Sequence, residues 1–166
     1  MIEIHEATAA DVPLLLELIR ALADYEHLLP EVAASEADLL RDGFGTERRF
    51  RALVARCEGE PAGFALWFFN YSTFQGRAGL YLEDLFVKPE FRGRGLGKAL
   101  FARLARLALE HRCGRFVWQV LDWNAPSIAF YEGLGAKKHP EWLTMRLTGE
   151  PLARLAAEDP GERALV

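Results

Sequence analysis

Leu14, Leu15, Leu18, Leu22 and Tyr25 recur every three to four residues, the period of one helix face. Thr8-Ala9-Ala10-Asp11, just ahead of them, reads as a variant capping box that sets the start of this helix. Before it, Met1 to Ala7 alternates apolar and polar side chains, which predicts a strand. Ser35-Glu36-Ala37-Asp38 opens a second, shorter helix that ends near Gly43 or Gly45. Arg51 to Arg56 and Ala62 to Tyr71 form a predicted hairpin about Glu58-Gly59-Glu60. Gly76 closes a loop, and Gly79 to Val87 is a further strand. The stripe Leu96, Leu100, Leu104, Leu107 and Ala108 leaves Lys98, Arg103, Arg106 and Glu110 off it. It predicts an amphipathic helix from Leu96 to His111, lying on a sheet.

Arg115 to Leu121 is apolar on both faces apart from Gln119, as expected of a central strand. A helix from Ala125 to about Gly133 and a last strand from Glu141 to Leu147 follow. The tail from Gly149 to Val166 reads as a short helix and a frayed end. The order β, α, α, several strands, α, β, α, β predicts one α/β domain over residues 1–166, built on a single mixed sheet.

Composition narrows the chemistry. A chain of 166 residues, 51% hydrophobic and 27% charged, has enough apolar surface for one full-sized core. Its net charge of −4 argues against nucleic acid as a partner and suits a cationic substrate such as an amine. Cys57 and Cys113 are expected to be reduced, and neither they nor His5, His27, His111 and His139 have metal-ligand spacing. No metal site is expected. No signal peptide and no apolar run long enough to span a bilayer is evident, so the expected location is the cytoplasm. Trp67, Trp118, Trp123 and the cluster from Phe64 to Phe69 read as sheet packing.

Lysine and arginine nevertheless cluster at positions 88–106, around Arg92-Gly93-Arg94-Gly95-Leu96-Gly97-Lys98. A strand end, a glycine-rich turn and a helix start bring backbone N–H groups and a positive dipole end to one place. That arrangement holds an anion, most simply a pyrophosphate. Arg92 and Ala99 exclude a P-loop, and Lys98 stands where a Rossmann fingerprint needs glycine. Arg92-x-x-Gly95-x-Gly97 instead resembles the acyl-CoA-binding signature of the GNAT N-acetyltransferases. Further along, Tyr81-Leu82-Glu83-Asp84-Leu85-Phe86-Val87 and Val120-Leu121-Asp122-Trp123-Asn124-Ala125-Pro126-Ser127, followed by Phe130-Tyr131, resemble the diamine (spermidine/spermine) and thialysine branch of that family. Leu22-Ala23-Asp24-Tyr25-Glu26 and Asp42-Gly43-Phe44-Gly45 resemble the same branch. The loop from Tyr71 to Gly76 is more similar to the thialysine type than to the polyamine type, with Phe74 in place of tryptophan.

The resemblance covers nearly the whole chain. It implies the GNAT fold, a mixed, mostly antiparallel sheet flanked by helices, with two strands splayed at a cofactor notch. It also implies acetyl-CoA as co-substrate, a small amine as acceptor and a homodimer. The N–H groups of Gly93 to Lys98, with Arg92 and Arg94, would cradle the diphosphate. The main chain of Leu85, Phe86 and Val87 would pair with the pantetheine arm, which Asn124 would also contact. Ser127 and Tyr131 share a helix face, and the resemblance makes Tyr131 the acid that protonates the departing sulfur, against a reading as core tyrosine. Asn124 also suits the N-cap of the helix ahead of Pro126. Glu83 is either the base or an electrostatic anchor. Tyr25 and Glu26, with Glu83 and Asp84, match positions lining the amine site; a plain surface role is the other reading of the first two. Regular pleating sends Glu83 and Asp84 to opposite faces unless a bulge re-aims one. Acetylation of a protein N-terminus or lysine, and CoA binding without catalysis, are the alternatives.

Overall fold

The computed structural model describes residues 1–159. The chain divides into two compact units, Met1–Gln119 and Val120 onward. In the first, the order is β1 (Ile2–Glu6), α1 (Val12–Tyr25), α2 (Glu36–Leu39), β2 (Arg51–Cys57), β3 (Glu60–Ser72), β4 (Arg77–Val87), α3 (Leu96–Glu110) and β5 (Phe116–Trp118). The strands form one sheet in the order β1-β2-β3-β4-β5. The first four pair antiparallel, and β5 joins β4 in parallel. Thr8 and Asp11 form the expected box: the Thr8 N–H and hydroxyl both donate to the Asp11 carboxylate, at 2.8 and 2.9 Å. Ser35 and Asp38 start α2 the same way, and a wide π-type turn over Leu40–Phe44 ends it at the predicted glycines.

Helices cover both faces of the sheet. On one face Leu15, Leu18 and Leu22 of α1 pack with Val54, Phe64, Leu66 and Phe86. On the other, Phe101 of α3 lies 5.5 Å from the ring of Phe116 and 4.9 Å from that of Trp118. Trp67 is buried, as a packing residue should be. Near the end of β4 the backbones are close. A Cβ on Gly63 would fall on the Phe86 carbonyl oxygen and 3.2 Å from the Val87 Cα. Gly63→Ala is therefore expected to cost about 2–3 kcal/mol through strand displacement; a shift in the urea midpoint checks it.

Two elements differ from the sequence expectation. The segment 115–121, expected as a central strand, is reduced to the three residues of β5, which stands at the end of the sheet order. Its pairs reach only Leu80, Tyr81 and Leu82, so apolar character marked packing on α3, not a central position. The segment 141–147 forms no strand, and its Trp142, Leu143 and Met145 side chains are exposed. A strand exists only where a second backbone completes its hydrogen bonds, and alternation alone supplies none. In the second unit α4 (Ala125–Gly133) matches its prediction, and α5 (Gly149–Ala157) is the short tail helix. The predicted frayed end lies partly outside the described residues.

Candidate active site

β4 is the axis of the site. From Gly63 to Ser72 strand β3 follows one edge of it as far as Val87, while β5 follows the other only to Leu82. From Glu83 to Val87 the second edge has no ladder partner among the described residues. Such an edge offers alternating N–H and C=O groups to any ligand that carries amides. Leu85, Phe86 and Val87, predicted to do this, lie on that open stretch.

The strand then runs through a short 3-10 turn, Pro89–Phe91, into the glycine turn. Gly93 and Gly95 have φ of +73° and +87°, and a Cβ on either would meet nothing within 4 Å. The turn is bent by backbone, and the space above it stays open. Leu96 is buried and pins the start of α3. Gly95 caps that helix with no side chain on the first-turn N–H groups of Leu96, Gly97 and Lys98. Arg94 and Lys98 are exposed beside them. A diphosphate fits this donor set, since unpaired N–H groups, a helix dipole and cations converge.

Arg92 takes a different position from the one sequence reasoning suggested. Its guanidinium lies 4.6 Å from the centroid of the Tyr25 ring and 5.7 Å from that of Phe86, and its Nε donates to the Val87 carbonyl at 3.0 Å. It thus ties the glycine turn to the end of α1, where Glu26 follows Tyr25 as C-cap. No sequence signal pointed to this stacking, because the two residues lie far apart in the chain.

The two adjacent carboxylates sit on a β-bulge. Leu66 faces Asp84 and Trp67 faces Leu82, so Glu83 is the extra residue. Residues directly opposite share a face. Asp84 therefore projects to the α1 side with Leu66, and Leu82 to the α3 side with Trp67. Tyr81 stacks at 5.1 Å on Phe68, which shares the face of Leu66, and Glu83 follows Tyr81 by two residues. The bulge thus turns Glu83 and Asp84 to one face, overturning the opposite-face arrangement of a regular pleat. Glu83 is exposed; Asp84 is partly buried. Burial, and then the negative charges of Glu83 and Glu26, push the Asp84 carboxyl up to about 7. Burial also raises Glu26. The missed signal was positional: Asp84 stands two residues before the apolar Phe86, on the same face.

In the second unit, Asn124 is buried and its Oδ1 accepts the Ser127 N–H at 3.3 Å, so the N-cap reading holds. Ser127 and Tyr131 share a face of α4, and the Tyr131 ring lies 5.5 Å from that of Phe130. No group of three or more metal-ligating side chains occurs among the described residues. No helix among them is long and apolar enough to cross a membrane.

Comparison with known proteins converges on one family. Residues 15–136 match the model of the acetyltransferase (GNAT) family. The chain is 41% identical to a thialysine N-epsilon-acetyltransferase of Sus scrofa over 166 residues, 93% of this chain and 97% of the relative. It is 34% identical to a spermidine/spermine N(1)-acetyltransferase-like protein 1 of Homo sapiens, over 95% of this chain and 24% of that larger protein. Among solved structures, an integron cassette protein from the mobile metagenome of V. cholerae superposes with a TM-score of 0.78 at 28% identity, over 93% of this chain and 97% of that one. With the open β4 edge and the glycine turn into α3 in place, these matches make the chain a member of the acetyltransferase (GNAT) family of acetyl-CoA-dependent transferases.

Proposed function

We propose that this protein moves the acetyl group of acetyl-CoA directly to a primary amine of a small cationic substrate: a diamine, a polyamine or a thialysine- or lysine-like amino acid. The observation that carries the reading is the edge of β4 from Glu83 to Val87, which no strand pairs among the described residues and which leads to the N-terminus of α3, free of a side-chain cap. Thialysine and spermidine/spermine acetyltransferases among the relatives favour this substrate class.

Acetyl-CoA supplies the acetyl group as an activated thioester. The N–H groups of Gly93 to Lys98 hold the diphosphate, aided by Arg94. The main chain of Leu85, Phe86 and Val87 binds the pantetheine amides, and a free N–H near Leu85 stabilises the oxyanion. Asn124 and Ser127 contribute to the pantetheine site by resemblance. Tyr25, Glu26, Glu83 and Asp84 attract and orient the ammonium. Tyr131 protonates the departing sulfur. No metal takes part. The resemblance also favours a cytoplasmic homodimer, which sedimentation at micromolar concentration tests.

The direct assay is thiol release from acetyl-CoA with a panel of thialysine, lysine, short diamines and spermidine. Absence of release with every amine would sink the reading. A narrower test uses Gly95→Ala. A left-handed alanine costs about 1–2 kcal/mol, and its Cβ enters the space given to the diphosphate. The expected result is at least a tenfold weaker Kd for CoA by calorimetry, with the thermal midpoint only slightly lowered.

A further inference from the structure

We infer that Arg92 is a positioning residue for the amine: from the cofactor turn it holds the Tyr25 ring in place, so its loss is felt in amine recognition more than in CoA binding. The inference rests on the acetyl-transfer reading above and adds a residue to the acceptor side of that site.

Arg92 follows the Pro89–Phe91 turn and stands exposed, directly ahead of Gly93. Its contacts run back to β4 and α1. The Lys88 N–H donates to the Ala62 carbonyl of β3 at 2.9 Å. The C=O and N–H of one trans peptide point opposite ways, so the Val87 carbonyl is turned to the open edge of β4. Arg92 Nε donates to that carbonyl at 3.0 Å, which anchors the guanidinium. The anchored group lies 4.6 Å from the centroid of the Tyr25 ring and 5.7 Å from that of Phe86. Arg92 forms no ion pair among the described residues, so its guanidinium is committed to the rings and the carbonyl.

Tyr25 is the receiving end. It is the last residue of α1, partly buried, and packs against the core cluster that contains Phe86. Glu26 follows as C-cap, and His27 turns the chain with a φ of +61°. Helix hydrogen bonding stops here, so a contact from outside has most to fix. A second tie lies about two turns earlier in α1, where Lys88 Nζ meets Glu17 Oε1 at 3.0 Å. The ion pair holds the body of the helix to the end of β4, and the guanidinium holds the ring. Loss of the stacking therefore frees the ring without releasing α1.

Lysine separates the charge of Arg92 from its shape. It keeps a positive group beside the glycine turn, but it has neither the flat face that stacks on an aromatic ring nor the Nε fork. The test is steady-state kinetics with acetyl-CoA and the best amine of the panel, with CoA calorimetry, on wild type, Arg92→Lys, Tyr25→Leu and the double variant. Arg92→Lys should raise the amine KM about tenfold, with kcat and the Kd for CoA within about threefold. In the Tyr25→Leu background the same change should move the amine KM by less than about twofold, because the ring it acts through is gone. In Tyr25→Phe, which keeps the ring, the full response to Arg92→Lys should remain.

An Arg92→Lys amine KM near wild type overturns the inference. So does a response of equal size in Tyr25→Leu, or a loss that falls on the Kd for CoA and spares the amine. A large fall in the thermal midpoint of Arg92→Lys would make Arg92 a structural clamp and overturn it as well. Wild-type protein that acetylates no amine sinks the acetyl-transfer reading itself, whereas an active wild type with an unresponsive Arg92→Lys sinks this assignment alone.

Discussion

Tyr131→Phe is expected to lower kcat about 100-fold, while the Kd for CoA stays within about twofold. The change removes one hydroxyl and keeps the ring that packs beside Phe130 in α4. The N-cap from Asn124 to Ser127 is also untouched, so the helix should stand. The size follows from the leaving group. A thiol with a pKa of about 8.5 departs as thiolate at moderate cost, so an acid contributes near the low end of the 10²–10⁴ range for general acid–base catalysis. Single-turnover thiol release and calorimetry on the same preparation separate the two effects. Unchanged turnover would remove Tyr131 from the acid role and leave it as a packing residue.

The second large effect is on stability, and its sign is opposite to the usual carboxylate case. Asp84 has a folded pKa of about 7, raised by burial and by two neighbouring anions. In the unfolded chain it returns to about 3.9. Between those values the folded state holds a proton that the unfolded state lacks, so stability falls as pH rises. The contribution is fully present below pH about 4 and lost above pH about 7. Three units correspond to at most about 4 kcal/mol, and on the order of 2 kcal/mol once partial solvation of the site is allowed for. Asp84→Asn should therefore be more stable than wild type at pH 8 and nearly equal to it at pH 4. Urea midpoints of both proteins across that range give the difference directly. Comparing the two cancels the carboxylates that act the other way, such as Asp11, whose hydrogen bonds with Thr8 hold it below its usual value despite its burial. Equal stability at pH 8 would show that the Asp84 carboxyl is better solvated than its position on the bulge implies.

Local chemistry was legible along the chain. The start of α2 follows from the Ser35–Asp38 box, and the start of α4 from Asn124 and Pro126. The amphipathic stripe of α3 begins at Leu96 as read, and the glycine turn before it adopts the left-handed conformations that its residues allow. The family was legible too, because Arg92-x-x-Gly95-x-Gly97 and the motifs around Glu83 and Tyr131 occur in order. Strand pairing was not. The length of β5 depends on where β4 stays beside it, and 141–147 has strand-like composition without a strand partner.

The sequence by itself determined the helices, the glycine turn and the family, because caps, periodicity and motifs act over a few residues. Only the tertiary structure decided which carboxylate is buried and where Arg92 lies. A bulge is defined by two strands at once, since Leu66 and Trp67 must take their partners before Glu83 becomes the residue left over. A charge is desolvated only by what packs over it. Asp84 acquires its character from burial first, then from the adjacent Glu83 and from Glu26 at the end of α1, more than fifty residues earlier in the chain, and no local pattern carries all of that information.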